Sequence, residues 1–169
     1  AVKPPSAAEG PVSARDPQAG WTKKNGKSRF GYKAHIAVDQ GSDLIRAAIL
    51  TGADLHDSLA GPSLVQGDEA AVYADKAYDS QRFREALAEA GIKDGIMHKA
   101  RRNHPLKDWQ KWFNKAVSPI RSGVERGFAT MKRYYGYQRV RYIGLARNRC
   151  HLNLMCVAIN LRRALALAG

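Results

Sequence analysis

An α/β fold with its helices gathered toward the C-terminus is what this 169-residue sequence predicts, on three observations. Alternating apolar residues up to Val38 are followed at once by a second strand-like segment. A short apolar run, a helical stretch and a further apolar run succeed one another between Ala70 and Met97. Two long segments of helical period, Val117–Tyr135 and Leu145–Leu167, close the chain. The length suits one ordinary domain, or one domain with a tail, and is enough to bury a core.

Residues 1–20 hold four of the seven prolines, Pro4, Pro5, Pro11 and Pro17, among Ala, Ser and Gly with no apolar period. That is linker composition and predicts little regular structure. In Ser28–Val38, Phe30, Tyr32, Ala34, Ile36 and Val38 fall on one side, the period of a strand. Gln40 and Gly41 turn the chain, and Leu44–Leu50 is a second strand, so the pair reads as an antiparallel hairpin. Thr51–Asp57 is a loop, and Asp57 is placed to cap a helix from Ser58 to about Gln66. Ala70–Ala74 has the pattern of a strand buried on both faces, with Asp75 directly at its end. Asp79 opens a helix with Phe83, Ala86, Leu87 and Ala90 at helical spacing, closed by Gly91, and Ile92–Met97 is the next strand. Strand, helix and strand in this order make a parallel crossover. A basic stretch, His98 to Lys115, leads into the two C-terminal helical segments, and the sequence holds no internal repeat.

Charge points to the partner. The chain has 28 Lys and Arg against 15 Asp and Glu, a formal net charge of +13, which calls for a polyanion. Fourteen of the bases and only two acids, Asp108 and Glu125, lie between Lys99 and Arg149. Trp109, Trp112, Phe113, Tyr134, Tyr135, Tyr137 and Tyr142 are interleaved with them, a mixture suited to phosphate contact with aromatic contact to sugars or bases. A solvated basic face whose aromatics are core is the plainer reading of the same residues. Other classes are not supported. No apolar run reaches the roughly 18 residues that span a bilayer, so no membrane association is expected. Cys150 and Cys156 are too far round and along a helix to pair, and read as thiols of a reducing compartment. His35, His56, His98, His104 and His151 show no zinc spacing, and no glycine-rich nucleotide loop occurs, so neither zinc nor a nucleotide cofactor is expected. The chain opens at Ala1 without a Met or a basic-then-apolar leader, as a piece of something longer would. The apolar all-round helix at the C-terminus suits buried packing or a dimer surface.

Two acids stand out. Glu125 is the sole acid from Trp109 to Asn148 and sits among Arg121, Arg126, Lys132 and Arg133. On one continuous helix Arg121, Glu125 and Lys132 fall within an arc of about 40°, beside an apolar stripe. An ordinary Arg–Glu pair four residues apart explains Glu125 equally simply. Asp75 follows an apolar strand, and in open α/β sheets ligands gather outside the carboxyl ends of parallel strands. A turn-starting residue is the alternative. Together Asp75 and Glu125 have the oxygen donors that Mg²⁺ or Mn²⁺ takes in phosphodiester chemistry.

These residues match a known family. WTKKNGKSRFGYKAHIAVD (Trp21–Asp39), GADLHD (Gly52–Asp57), YADKAY (Tyr73–Tyr78) and RSGVERGFATMKRYYGYQRVRYIGLARN (Arg121–Asn148) make the chain resemble the Asp-Asp-Glu transposases of bacterial insertion sequences, in the insertion sequence 4 and 5 grouping. The resemblance implies a ribonuclease H-like mixed sheet flanked by helices, with residues 21–169 forming the C-terminal part of the catalytic domain. It implies that Asp75 is the second catalytic aspartate and Glu125 the final glutamate, both metal ligands for Mg²⁺ or Mn²⁺. Arg121 and Lys132 match the phosphate-binding positions of the family's glutamate signature, while its tyrosine position holds Ser118. Arg126, Arg133, Arg139 and Arg141 are the further expected DNA contacts.

The first aspartate of that family lies on the first, central strand, upstream of the proline-bearing segment, and residues 1–10 contain neither aspartate nor strand pattern. The fold expected is therefore one lacking its first strand, with the second and fourth strands left with unpaired edges. Asp16, Asp39, Asp54, His56 and Asp57 are substitutes one would propose, and none is assigned as the missing ligand. Asp39 belongs at the opposite end of the sheet, about 20 Å away across six strand residues. Two functions are consistent with this reading. One is a transposase fragment that, once complete, cleaves strands at element ends of double-stranded DNA and transfers them, acting in the bacterial cytoplasm at the nucleoid. The other is a truncated, catalytically inactive DNA-binding derivative.

Overall fold

The computed structural model describes residues 15–24 and 26–169. The expected linker therefore falls mostly outside the described residues. Its last part is not linker-like: Asp16 is buried, and its carboxylate accepts hydrogen bonds from the Tyr32 hydroxyl (2.6 Å) and from the Gly144 N–H (3.1 Å).

Three antiparallel strands open the fold. β1 (Gly20–Lys24) pairs with the first part of β2 (Lys27–Val38), Gly20 opposite Gly31 and Lys24 opposite Lys27. β3 (Ile45–Gly52) pairs with the rest of β2, from Tyr32 opposite Gly52 to Val38 opposite Ile45, with an irregularity between Ala37 and Val38. The expected hairpin is present, and β1 is additional. The tip of the β1–β2 hairpin includes Gly26 at φ +75°, a left-handed conformation that glycine adopts without Cβ strain.

The second sheet has two parallel strands, β4 (Ala71–Ala74) and β5 (Lys93–Ile96), joined through helix α2 (Gln81–Glu89). This is the expected crossover, with corrections. Ser80, not Asp79, caps α2, its hydroxyl accepting from the Phe83 N–H at 3.3 Å. Asp79 binds Arg84 and the Lys99 N–H instead. β4 is half-buried along its whole length instead of fully buried, because only one of its edges is paired. The helix expected from Ser58 to Gln66 is one turn, α1 (Asp57–Ala60), running into a 3₁₀ turn at Gly61–Leu64. Pro62 has no N–H to continue the α pattern. The cap is His56, not Asp57, which is held by Lys33.

The C-terminal helices differ most from expectation. α3 (Asp108–Ile120) begins inside the stretch assigned no element, and α4 (Ser122–Tyr135) follows after a break at Arg121. Pro119 withdraws one backbone donor close to that break. Val117 and Glu125 thus lie on separate helices, and the single-helix arc drawn through Arg121, Glu125 and Lys132 runs across a discontinuity. α4 ends at Gly136, whose left-handed φ of +62° returns its N–H to Met131. α5 (Leu145–Ala168) buries one face, Asn148, Leu152, Met155, Cys156 and Ile159. The opposite stripe, with Leu154 63%, Val157 56%, Leu161 63% and Leu165 76% exposed, is open to solvent. Among the described residues no helix is long and apolar enough to cross a membrane.

Two cores result. Ile36, Ile45 and Leu50 of the first sheet pack on Met131, Leu152, Met155, Cys156 and Ile159. Phe83 and Leu87 of α2 pack on Ile92 and Ile96 beside β5. Between the sheets lies a cleft of about 610 Å³, lined by Ile36–Asp39 at the end of β2, Ala71–Asp75 of β4 and the α4 residues Val124 and Phe128. Among the described residues no strand pairs the β4 edge away from β5 or joins the two sheets.

Asn160 of α5 stands in for a strand. Its side-chain oxygen accepts from the Ile45 N–H and its amide donates to the Ile45 carbonyl, both at 2.8 Å. Removing it leaves a part-buried donor and acceptor unmatched, which costs about 1–3 kcal/mol. Urea unfolding should show Asn160→Ala destabilised by that amount. Asn153→Ala, on the exposed side of the same helix, should shift stability by less than about 0.5 kcal/mol. Equal effects would mean that the Ile45 pairing carries no weight.

Candidate functional site

Asp75 occupies the end of β4 because the strand stops there: it caps a 3₁₀ turn, Lys76–Tyr78, and its Oδ1 accepts from the Ala77 N–H at 3.1 Å. Its other oxygen, Oδ2, lies 3.0 Å from a guanidinium nitrogen of Arg121. Arg121 sits in the break between α3 and α4 with its side chain 17% exposed, and also approaches Met97 Sδ at 3.6 Å. Two residues expected at the site, Asp75 and Arg121, are thus in contact. The contact is with each other: the guanidinium neutralises the carboxylate at the mouth of the cleft.

The same turn is tied to the first sheet. Tyr78, its last residue, bonds through its hydroxyl to His35 Nδ1 at 2.9 Å, and His35 Nε2 lies 3.2 Å from the Thr51 hydroxyl. Thr51 donates its proton to the Gly52 carbonyl, so its oxygen accepts from Nε2–H, and Nδ1 accepts from Tyr78. That chain requires a neutral imidazole. Burial agrees: His35 is 2% exposed and its pKa is pushed down to about 4, chiefly by desolvation, with Lys33 adding to the depression and Asp57 opposing it. Burial also holds the Tyr78 phenol well above its ordinary range, helped by the charges of Asp57 and Asp75. Lys33 next door donates to Asp57 and to the Leu55 carbonyl, both at 2.8 Å.

These ties fix strand direction. The start of β3 meets the residues before β4 through Arg46 and Asp68, paired by two hydrogen bonds of 2.6 and 2.7 Å. The middle of β2 meets the residues after β4 through His35 and Tyr78. β4 therefore runs antiparallel to β2 and parallel to β3.

The remaining expected residues scatter. Glu125, in the first turn of α4, is exposed, and its side chain makes no hydrogen bond or ion pair among the described residues. It stands one turn beyond Arg121 but does not line the cleft. Arg126 turns away to Asp43, with hydrogen bonds of 3.1 and 2.6 Å, and to Ser122. The Arg133 guanidinium sits 5.5 Å from the Tyr134 ring centre, and Arg162 covers the same ring at 4.6 Å. Lys132, Arg139 and Arg141 are exposed, the last two on the loop between α4 and α5. Ser118 lies on α3, across the break. Of the substitute acids, Asp16 is occupied as described above. Asp39 accepts from the Ser42 N–H and hydroxyl at the far end of β2, bonds that hold its carboxyl below the usual range. Asp57 pairs with Lys33, and Asp54 and His56 are exposed.

His35, Tyr78 and the Arg46–Asp68 pair are the residues that sequence reasoning missed. The alternation of β2 puts His35 off the apolar side, which was a signal for a polar role, but nothing in the sequence names its partner.

Hard oxygen donors are what Asp75 and Glu125 offer, and Mg²⁺ is commonly bound by one or two carboxylates with water and substrate phosphates completing its shell. The donor chemistry fits such an ion. Among the described residues no group of three or more His, Cys, Asp and Glu is placed to hold a metal, so the set is incomplete.

Comparison with known proteins identifies the family. Residues 8–161 match the family described as Transposase DDE domain. The transposase for insertion sequence element IS1106 of Neisseria meningitidis serogroup B is 37% identical over 153 residues, covering 89% of this chain and 53% of that protein. The chain spans about half the length of this relative. No solved structure matches it. The family match runs over most of the chain, and the chain belongs to the transposases with a DDE domain.

Proposed function

We propose that this chain is the C-terminal part of a transposase catalytic domain that cleaves phosphodiester bonds at element ends and joins the freed strand to target DNA. The observation that carries this reading is the cleft between β2 and β4. Its two walls have the relative direction that a missing strand requires, antiparallel to β2 and parallel to β4, and Asp75 stands at the end where that strand would finish. A strand from outside the described residues, bearing a further aspartate there, would complete a ribonuclease H-like sheet and the ligand set together.

In this reading Asp75 and Glu125 hold the divalent ion, Mg²⁺ or Mn²⁺. When bound, the ion supplies Lewis-acid charge at the scissile phosphate and a water of lowered pKa. Arg121, 3.0 Å from Asp75, holds that carboxylate in place before DNA arrives and offsets its repulsion of phosphate. Water, then the freed 3′-hydroxyl, is the nucleophile. Double-stranded DNA is the partner that a net charge of +13 fits. The alternative, a derivative that binds DNA and cuts nothing, is favoured by the incomplete ligand set among the described residues.

The chain extended upstream to the length of its relative should nick an element-end duplex in Mg²⁺. Asp75→Asn and Glu125→Gln should each reduce cleavage at least about 100-fold, the scale of losing a group that stabilises developing charge, with duplex affinity retained. Cleavage that survives either change removes that residue from the site, and binding without cleavage under any divalent ion supports the alternative. Supplying the strand should also show in stability. By circular dichroism the extended form should melt more cooperatively, and about 4–8 °C higher if the added pairing is worth roughly 2 kcal/mol. Equal transitions would mean that the cleft is not an open strand site.

A further inference from the structure

A second cleft, of about 390 Å³, lies between Asp79 and the loop that joins β5 to α3, and its lining includes Lys99, Arg101, His104 and Lys107. We propose that it binds the phosphodiester backbone of DNA running past Asp75, as a site separate from the arginines that the sequence singles out. The proposal rests on the transposase reading for its partner, and on this cleft for its place.

Charge comes first. Asp79 is the one carboxylate on the wall of this cleft, and it is already engaged by Arg84 at 3.1 Å and by the Lys99 N–H at 2.8 Å. Among the described residues Lys99, Arg101 and Lys107 make no ion pair, and neither does Arg102 beside them. Arg121 and Arg126, by contrast, are each paired with an aspartate. Other unpaired cations lie elsewhere on the chain, but this loop gathers four of them, Lys99, Arg101, Arg102 and Lys107, within one short segment.

The loop is also built to hold its shape. The Asn114 side chain accepts from the His98 N–H at 2.8 Å and donates to the His98 carbonyl at 3.0 Å. Arg101 and His104 exchange backbone hydrogen bonds of 3.1 and 3.0 Å around Asn103, which takes a left-handed φ of +62°. The Lys107 N–H is held by the Gln110 side chain at 2.9 Å. A backbone fixed in this way loses little freedom when an anion docks. The N-terminus of the 13-residue helix α3 adds its dipole on the same side.

Position and shape select a polymer. Asp79 follows Asp75 by four residues through the 3₁₀ turn, about 8 Å of path at ~2.0 Å per residue. With about 3.4 Å of rise per nucleotide, a strand at Asp75 reaches the cleft within two to three nucleotides. Arg101, Asn103, His104, Pro105 and Lys107 are all exposed along the rim. Pockets for small ligands enclose most of the ligand and are largely apolar. This one is open, with Lys99, Arg101 and Lys107 among its lining.

The test is duplex binding by the chain, followed by fluorescence anisotropy across a salt series. Each phosphate contact contributes about −0.9 to the slope of log affinity against log salt. Replacing Lys99, Arg101 and Lys107 together by Gln should make that slope shallower by about two to three and weaken binding at low salt at least tenfold. Lys93→Gln, at the other end of β5, should change the slope by no more than one. Thermal melting checks that the triple variant is folded, and the three single variants replace it if it is not. Inorganic phosphate, at matched ionic strength, should displace DNA no better than chloride. An unchanged slope with binding retained overturns the cleft and leaves the transposase reading standing. Displacement by inorganic phosphate in the unsubstituted chain but not in the triple variant makes this a small-anion site and overturns the proposal. Absence of any duplex binding overturns both the cleft and the DNA reading.

Discussion

Two small sheets, each with its own core, are held across an open cleft, and that arrangement depends on how few interactions span it. At one end His35 and Tyr78 bond in a buried chain that continues through Thr51 to the Gly52 carbonyl. At the other, Arg46 grips Asp68 in the open. The two ties differ in strength. An exposed ion pair contributes little and weakens with salt. A buried, fully satisfied hydrogen-bond chain specifies one geometry, because any slip strands a polar atom away from water. The end of the cleft that holds Asp75 is thus the better fixed of the two. Asp75 inherits its position from β2 through Tyr78, although it closes a strand of the other sheet.

Electrostatics at that end follow from a charge imbalance. In a chain of net +13, an isolated carboxylate is surrounded by cations and tends to be taken by one of them. Asp75 is taken by Arg121, Asp43 by Arg126 and Asp57 by Lys33. Glu125, like Asp54 and Glu89, is not: it lies in the most basic third of the sequence yet keeps no side-chain partner among the described residues. A free, exposed acid in the first turn of a helix gains from the helix dipole, which accounts for its being tolerated there. The cost of leaving it unpaired is small in water.

Much of this fold was legible because burial leaves a period. The alternation that ends in Ile36 and Val38, the apolar runs of β4 and β5 and the helical spacing of Phe83 and Leu87 all reflect one face meeting a core. β1 was not legible because Trp21–Lys24 carries no apolar alternation, its register coming from backbone pairing with β2. The break at Arg121 was hidden because apolar spacing continues from Val117 and Ile120 through Val124 across it, while one proline sits in the last turn of α3. The start of α3 was masked by its charge, since Lys111 and Lys115 face water and just one residue of the helix, Val117, is buried. At the site, the pattern identified Asp75 from its strand. It gave no route to Arg121 as the ion partner, and none to His35 and Tyr78, because hydrogen bonds between residues 43 apart leave no periodic trace.

If a strand fills the cleft, as proposed above, completing the sheet and completing the site become one event. The free edge of β4 presents backbone N–H and C=O groups that a neighbouring strand would satisfy, and half-burial along all four of its residues keeps them only partly served by water. A strand laid into the cleft recovers those hydrogen bonds, buries the apolar walls formed by Ile36, Val72 and Phe128, and ends beside Asp75. The stabilisation is spread along the cleft while the chemistry is concentrated at its mouth. A strand shifted by one residue would turn its apolar face away from those walls, so the packing that favours insertion also sets which side chain arrives at the carboxylate. Burial along the strand thereby determines the register at the site, and a ligand delivered in this way needs no affinity of its own for the place it reaches.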